Sequence, residues 1–103
     1  MKLKYALAAA SILAVGFAGT ASAEVDAKAA QALAKAEKCT KCHDAEKDKK
    51  GPSFKSVAAK YKGKADAEAA LVKFLSTGPN DHAAVSKGDA AATKNLAAWI
   101  LTH

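Results

Sequence analysis

The sequence predicts an all-α fold of about four helices in a single domain, and three observations lead to this prediction. Apolar residues recur every three or four positions in four separate stretches, which is typical of helices buried on one side. Gly51-Pro52 and Gly78-Pro79 break the chain between these stretches. No stretch alternates apolar and polar residues convincingly, so the sequence offers no strand to a sheet.

Residues 1–23 are predicted to be a secretory signal peptide, which leaves 24–103 as the mature domain. Lys2 and Lys4 form a basic start, an apolar run follows, and Ala21-Ser22-Ala23 is a small-residue cleavage site. An uncleaved membrane anchor is the alternative, but the run is dominated by alanine and interrupted by glycine. We therefore expect export, cleavage and no stable membrane insertion. A mature chain of this length usually needs a metal or a cross-link to stabilise its small core.

The first two predicted helices lie in the N-terminal half of the mature chain. Asp26 is the expected cap of the first helix, which runs into Cys39 and carries one apolar face. That predicted face consists of Val25, Ala29, Ala32, Leu33 and Ala36. A charged loop follows, and the second helix is expected to end near Gly63. Its apolar positions are Phe54, Val57, Ala58 and Tyr61.

The last two predicted helices fill the C-terminal part of the chain. The third carries Ala67, Leu71, Phe74 and Leu75 and stops at Gly78-Pro79. The fourth begins around Asp89, and its apolar face is formed by Ala92, Leu96, Trp99, Ile100 and His103. Because alanine is frequent in the first and last helices, we expect these two to cross closely, with Trp99 beside the crossing.

The most specific motif is Cys39-Thr40-Lys41-Cys42-His43, which contains both cysteines of the chain. On one helical turn both sulfurs and the imidazole share a face. This spacing is the attachment signature of c-type haem, in which the two thiols bind the vinyl groups and the histidine binds the iron. A redox-active thiol pair, a zinc site completed by His82 or His103, and a plain disulfide are the weaker alternatives.

With these elements placed, the chain resembles the class I cytochromes c, the small bacterial proteins with one haem. The resemblance rests on the helix that leads into the haem motif, on Gly51-Pro52-Ser53-Phe54 and on Trp99 in the last helix. It implies a small cytochrome c fold around one covalent haem c, located in the periplasm, that carries single electrons and is not an enzyme. It also implies that the carbonyl of Pro52 accepts a hydrogen bond from Nδ1 of His43, which orients that iron ligand.

The sequence departs from this family at the sixth ligand of the iron, which is usually a methionine in the loop before the last helix. Met1 is the only methionine, and it would leave with the signal peptide. His82 lies in the equivalent loop and is the expected replacement, because neutral imidazole binds haem iron well. The alternative is that His82 is a solvated loop residue. The other donors considered are Asn80, Lys87 and His103.

Two functions follow from the choice of sixth ligand. Ligation by His43 and His82 predicts a low-potential electron carrier, because it lacks the methionine that raises the potential. An open or displaceable distal site would instead predict a binder or sensor of nitric oxide, carbon monoxide or dioxygen.

The charge of the chain bears on its partners. The net charge is +6, all 16 basic residues are lysine, and the mature chain would keep about +4. Acidic redox proteins are therefore the possible partners, attracted by lysines that follow the haem motif. The expected state is a monomer or weak dimer. Nucleic-acid binding is not expected, since no aromatic residues are interleaved with the lysines. The lysines considered are Lys47, Lys49, Lys50, Lys60, Lys62 and Lys64.

Overall fold

The computed structural model describes residues 24–103, and they form four α-helices and one short 3₁₀ turn. The helices are α1 (Ala27–Ala36), α2 (Phe54–Tyr61), α3 (Ala67–Thr77) and α4 (Ala90–Ile100), and the 3₁₀ turn is Cys39–Lys41. Within residues 24–103 the only β-type pairing is an isolated bridge between His43 and Asp48. The all-α prediction is confirmed.

The predicted signal peptide lies outside the described residues. Among the helices at 24–103, none combines the length and the apolar character needed to cross a membrane.

Helix α1 begins at the predicted cap but buries a different face from the predicted one. The Asp26 carboxylate accepts a hydrogen bond from the amide of Ala29 at 3.0 Å, as expected for a helix N-cap. The buried residues are Ala30 and Ala34, whereas Ala29 is exposed. The predicted stripe was therefore rotated by about one residue. Alanines occupy neighbouring positions around much of this helix, so the contacts with α4 decide which of them are buried.

Helices α1 and α4 pack on each other more extensively than any other pair. Leu96 and Ala97 of α4 are fully buried, and small side chains on both helices allow the close approach that the sequence predicts. The ends are also joined, because the Asp26 amide donates to Oδ1 of Asn95 at 2.9 Å and Nδ2 of Asn95 donates to the Asp26 carbonyl at 2.8 Å. The aromatic partners of Trp99 are Phe54 and His103, with ring centroids 5.3 and 4.7 Å away.

Helices α2 and α3 form the opposite wall of the domain. The hydroxyl of Ser53 caps α2 by accepting the amide of Ser56, and α2 ends at Tyr61, two residues before the predicted Gly63. Helix α3 packs against α4 and ends at Gly78, whose φ of 56° is the left-handed conformation typical of a helix C-terminus. The stop predicted at Gly78-Pro79 is therefore confirmed.

Candidate functional site

The pentapeptide 39–43 forms a tight turn directly after α1. Lys38 has a φ of 60°, which ends the helix and redirects the chain. The carbonyl of Cys39 then accepts the amides of Cys42 at 3.1 Å and His43 at 2.9 Å. The two cysteines and the histidine consequently lie on one turn of backbone, as their spacing requires.

Both cysteine side chains are half-buried, and no disulfide joins them. Burial raises the pKa of the Cys39 thiol, and the nearby Glu37 carboxylate adds to the increase because a second negative charge is unfavourable there. A redox-active thiolate needs a lowered pKa, so these surroundings do not favour a redox-active thiol pair.

The His43 ring is held by the segment that follows it. Its Nδ1 lies 2.6 Å from the carbonyl of Pro52. A carbonyl can only accept, so Nδ1 carries the proton and Nε2 presents its lone pair on the opposite side of the ring. Gly51 lies under the ring, and a Cβ there would be 2.4 Å from Cε1 of His43, a distance that no side chain tolerates. Glycine at this position lets the backbone approach the imidazole.

The loop between His43 and α2 is organised by Asp48. Its carboxylate accepts the amide of Ser53 at 2.7 Å and the hydroxyl of Ser56 at 3.1 Å. These two hydrogen bonds lower the pKa of the Asp48 carboxyl below its usual value. The loop is thereby joined to the start of α2, next to Pro52, whose carbonyl orients His43.

Replacing Asp48 by asparagine should make stability less sensitive to acid. A lowered folded-state pKa means that the carboxylate stabilises the fold above its unfolded pKa of about 3.9, and that this contribution is lost as the pH falls through the folded-state value. Urea unfolding at pH 7 and pH 3 should therefore show a smaller loss for Asp48→Asn than for the wild type. Asp66→Asn is the control, because the Asp66 side chain makes no capping hydrogen bond. An equal loss in wild type and Asp48→Asn would contradict the prediction.

His82 is presented by the loop between α3 and α4. Its amide donates to the carbonyl of Pro79 at 3.1 Å, and its ring packs edge-on against Phe74 with centroids 4.9 Å apart. Nδ1 of His82 lies 2.8 Å from the carbonyl of Ala83. The same reasoning as for His43 gives Nδ1 the proton and leaves the lone pair on Nε2. In each histidine, the neutral tautomer that makes this hydrogen bond has its lone pair on Nε2.

The rings of His43 and His82 lie close together with their planes inclined by 39°, and the space between them is called the histidine gap. Their centroids are 6.0 Å apart. A metal–imidazole bond is about 2.0 Å long, as in zinc sites, and a ring nitrogen lies about 1 Å from the centre of its own ring. Two imidazoles on opposite sides of one ion therefore have centroids about 6 Å apart. The observed spacing leaves room for a single metal ion between the rings.

Two cavities adjoin this gap and share five lining residues. One has a volume of about 340 Å³ and the other about 420 Å³, both within the usual range of roughly 300–1,000 Å³ for cofactor sites. The shared residues are Cys39, His43, Pro52, Leu75 and His82. Cys42 lines the second cavity. The structure thus brings the five predicted site residues together around the two cavities. These residues are Cys39, Cys42, His43, Pro52 and His82.

The first cavity has a mainly apolar wall drawn from three helices and the turn between α1 and α2. Its apolar lining residues are Pro52, Phe54, Val57, Tyr61, Leu71, Phe74, Leu75 and Ile100. Such a wall fits the flat apolar face of a porphyrin. Cys39 and the two imidazoles in its lining, with Cys42 in the adjoining cavity, match the chemistry of a c-type haem. The residues present therefore fit this group.

The other donors considered from the sequence lie elsewhere. Nζ of Lys87 donates to the carbonyl of Ala36 at 3.1 Å, at the end of α1. Asn80 is exposed and lines neither cavity. His103 packs on Trp99, and its Nδ1 lies 3.1 Å from the carbonyls of Trp99 and Ile100. Over residues 24–103, no three side chains of His, Cys, Asp or Glu gather into a metal-binding cluster, so the zinc alternative gains no ligand set.

Three contributors to the site were not anticipated from the sequence. Gly51 was expected only as part of a chain break and of the family-like segment 51–54, Asp48 was expected only as part of a charged loop, and no role was expected for Glu37. The carboxylate of Glu37 accepts the amides of Ser86 and Lys87 from the loop that carries His82. Ser53 is a recognisable capping residue before α2, so a local signal for this end of the loop was present. The Glu37 contacts join residues about 50 positions apart and therefore leave no local pattern in the sequence.

A small helical fold with a Cys-x-x-Cys-His turn beside an apolar slot defines a c-type haem protein. The chain belongs to the cytochrome c family: the family model described as Cytochrome c matches residues 27–103. Cytochrome c-551 of Azotobacter vinelandii is 42% identical over 79 residues, covering 69% of this chain and 93% of the relative. Cytochrome c-552 of Nitrosomonas europaea is 42% identical over 105 aligned positions, covering 91% of this chain and 89% of the relative.

Solved structures agree with this membership. The Class 1 cytochrome MtoD of Sideroxydans lithotrophicus ES-1 superimposes with a TM-score of 0.72 at 44% identity, covering 76% of this chain and 96% of that structure. Cytochrome c552 of Nitrosomonas europaea superimposes with a TM-score of 0.58 at 35% identity, covering 70% and 96%. The chain is a class I c-type cytochrome that carries one covalently attached haem c and transfers electrons rather than catalysing a reaction.

Proposed function

We propose that this chain is a periplasmic one-electron carrier of low potential, in which His43 and His82 bind the haem iron from opposite sides. Residues 1–23 would direct export and be removed, leaving 24–103 as the working protein. The match to cytochrome c-552 covers 91% of the chain, so it extends from the mature domain into residues 1–23. The observation that carries the ligand assignment is the 6.0 Å spacing of the two rings.

Cys39 and Cys42 are the residues proposed to hold the haem covalently. Each thiol would add across one vinyl group to form a thioether, and both side chains line the cavities that share the histidine gap. Haem attached in this way would also stabilise a mature chain of this size, because it would occupy the cavity lined by α2, α3 and the turn after α1.

His43 and His82 are proposed to act as neutral imidazole ligands. In each ring Nδ1 faces a backbone carbonyl, Pro52 for His43 and Ala83 for His82, which keeps the lone pair on Nε2. The iron held by these two residues would supply the one-electron couple. A second imidazole in place of a thioether sulfur would lower its potential, and retention of both histidine ligands in the two oxidation states would keep rearrangement small.

Acidic redox proteins are the proposed partners of a monomer or weak dimer. Lys50 and Lys60 line the two cavities, and Nζ of Lys49 donates to the carbonyl of Thr40 within the haem motif. Together with Lys38, these cavity-lining lysines outnumber the two acidic residues there, Glu37 and Asp81, so the lining carries a small excess of positive charge. Rates of electron exchange with an acidic partner should fall as salt is added.

Replacing His82 by alanine tests the proposed ligation. The ferric wild-type protein should be low-spin, and His82→Ala should be high-spin and, once reduced, bind carbon monoxide on mixing. His103→Ala is the matched control and should keep the wild-type spectrum, because His103 packs on Trp99 and lines neither cavity. A low-spin His82→Ala protein would exclude His82 as a ligand. A wild type that is already high-spin would favour binding of a diatomic gas.

A further inference from the structure

The carboxylate of Glu37 joins the end of α1 to the loop that carries His82. Its Oε1 accepts the amide of Ser86 at 2.9 Å and also the amide of Lys87. Glu37 is half-buried and lies two residues before Cys39. Lys87 adds a second tie in the same place, from Nζ to the carbonyl of Ala36. The side chain of Glu37, just before the haem motif, therefore accepts hydrogen bonds from two consecutive amides of the loop between Gly78 and Asp89, which is called the distal loop.

The distal loop has few other attachments. Between Gly78 and Asp89 it contains no helix, and most of its residues are exposed. Within the described chain its backbone is fixed to the helices mainly by the amide of Val85, which donates to the carbonyl of Leu75 at 2.8 Å. His82 lies three residues before Val85, and four and five residues before the two amides that Glu37 holds. Loops with so few bonds open locally at a lower free energy than the core does.

We propose that Glu37 is a positioning residue for the sixth iron ligand. By holding Ser86 and Lys87, its carboxylate lowers the population of open loop conformations in which His82 is withdrawn from the iron. This inference rests on the proposed ligation by His82. Hydrogen bonds to an ionised acceptor are about twice as strong as neutral ones, so two of them on one carboxylate are a substantial restraint.

The expected consequence of this restraint is slower binding of external ligands to the iron. An external ligand competes with His82 only in the open state, so its observed binding rate scales with the fraction of open molecules. Loss of the Glu37 carboxylate should raise that fraction. The ferric spectrum of a variant without this carboxylate should differ little from that of the wild type, because the closed state remains the major one. Access of an external ligand to the iron should nevertheless increase.

Carbon monoxide binding to the reduced, haem-loaded protein measures this access. We expect Glu37→Ala to bind carbon monoxide about tenfold faster or more, where tenfold corresponds to about 1.4 kcal/mol. Glu37→Gln keeps an acceptor oxygen without the charge and should fall between wild type and Glu37→Ala. Glu46→Ala is the control and should match the wild type, since the Glu46 side chain accepts no hydrogen bond within residues 24–103.

Two further measurements separate positioning from general loosening. Amide hydrogen exchange at Ser86 and Lys87 should accelerate in Glu37→Ala, while exchange at Leu96 in the buried part of α4 stays unchanged. In a His82→Ala background, adding Glu37→Ala should no longer accelerate carbon monoxide binding, because the group that must be displaced is absent.

The outcomes distinguish this inference from the proposed ligation. If His82→Ala becomes high-spin but Glu37→Ala binds carbon monoxide no faster than Glu46→Ala, the positioning role is refuted while the ligation stands. Equal acceleration by Glu37→Ala with and without His82 would also refute it. If His82→Ala stays low-spin, both fail together.

Discussion

Replacing Cys39 and Cys42 together by alanine should abolish covalent haem attachment and leave a poorly folded chain. Both thioethers would be lost, and any haem bound through the histidines alone could dissociate. The apolar residues that line the first cavity, including Phe54 and Leu71, would then be exposed to water. The mature domain is too small to compensate for this lost apolar burial. Intact-mass spectrometry of the exported protein should show the polypeptide mass without an added haem.

Changes within the same turn provide the controls for this prediction. Thr40→Ala alters an exposed residue between the two cysteines and should leave attachment intact. Cys42→Ala alone should retain one thioether through Cys39. Haem that stays with the double variant after extraction into acidified acetone would contradict covalent attachment through these two sulfur atoms.

Replacing His82 by methionine should raise the reduction potential on the order of 0.1–0.3 V, a fraction of the ~0.8 V range that axial ligands set in haem proteins. Thioether sulfur favours the ferrous iron more than a second imidazole does. Equilibrium redox titration followed by absorption measures the change. His103→Met is the control and should keep the wild-type potential, since His103 lies against Trp99 and Phe54 rather than in the gap. An unchanged potential in a correctly folded His82→Met protein would contradict ligation at this position.

The sequence was most informative where a local signal determines the structure. Asp26 caps α1 and Gly78 ends α3, as predicted from residue type, and α4 begins directly after Asp89, close to the predicted start. These features depend on hydrogen bonds and backbone angles within a few residues. The haem motif belongs to the same class, because its geometry is contained in the single turn 39–43.

The sequence was less informative where distant elements select among similar options. The buried side of α1 is Ala30 and Ala34 because α4 packs there, and the alternative stripe was equally apolar by composition. Glu37 reaches the loop at Ser86 across 49 positions, so no local pattern could reveal it. The hydrogen bond from His82 to the carbonyl of Ala83 depends on a loop conformation with left-handed backbone at Asn80 and Asp81.

The central claim is that two histidines bind one iron, and electron–nuclear double resonance on the ferric protein tests it most directly. The protein would carry ¹⁵N in histidine alone, so that the porphyrin nitrogens do not contribute to the ¹⁵N signal. The account predicts two strongly coupled ¹⁵N nuclei in the wild type, from His43 and His82, and one in His82→Ala. A single strongly coupled ¹⁵N nucleus in the wild type would contradict it.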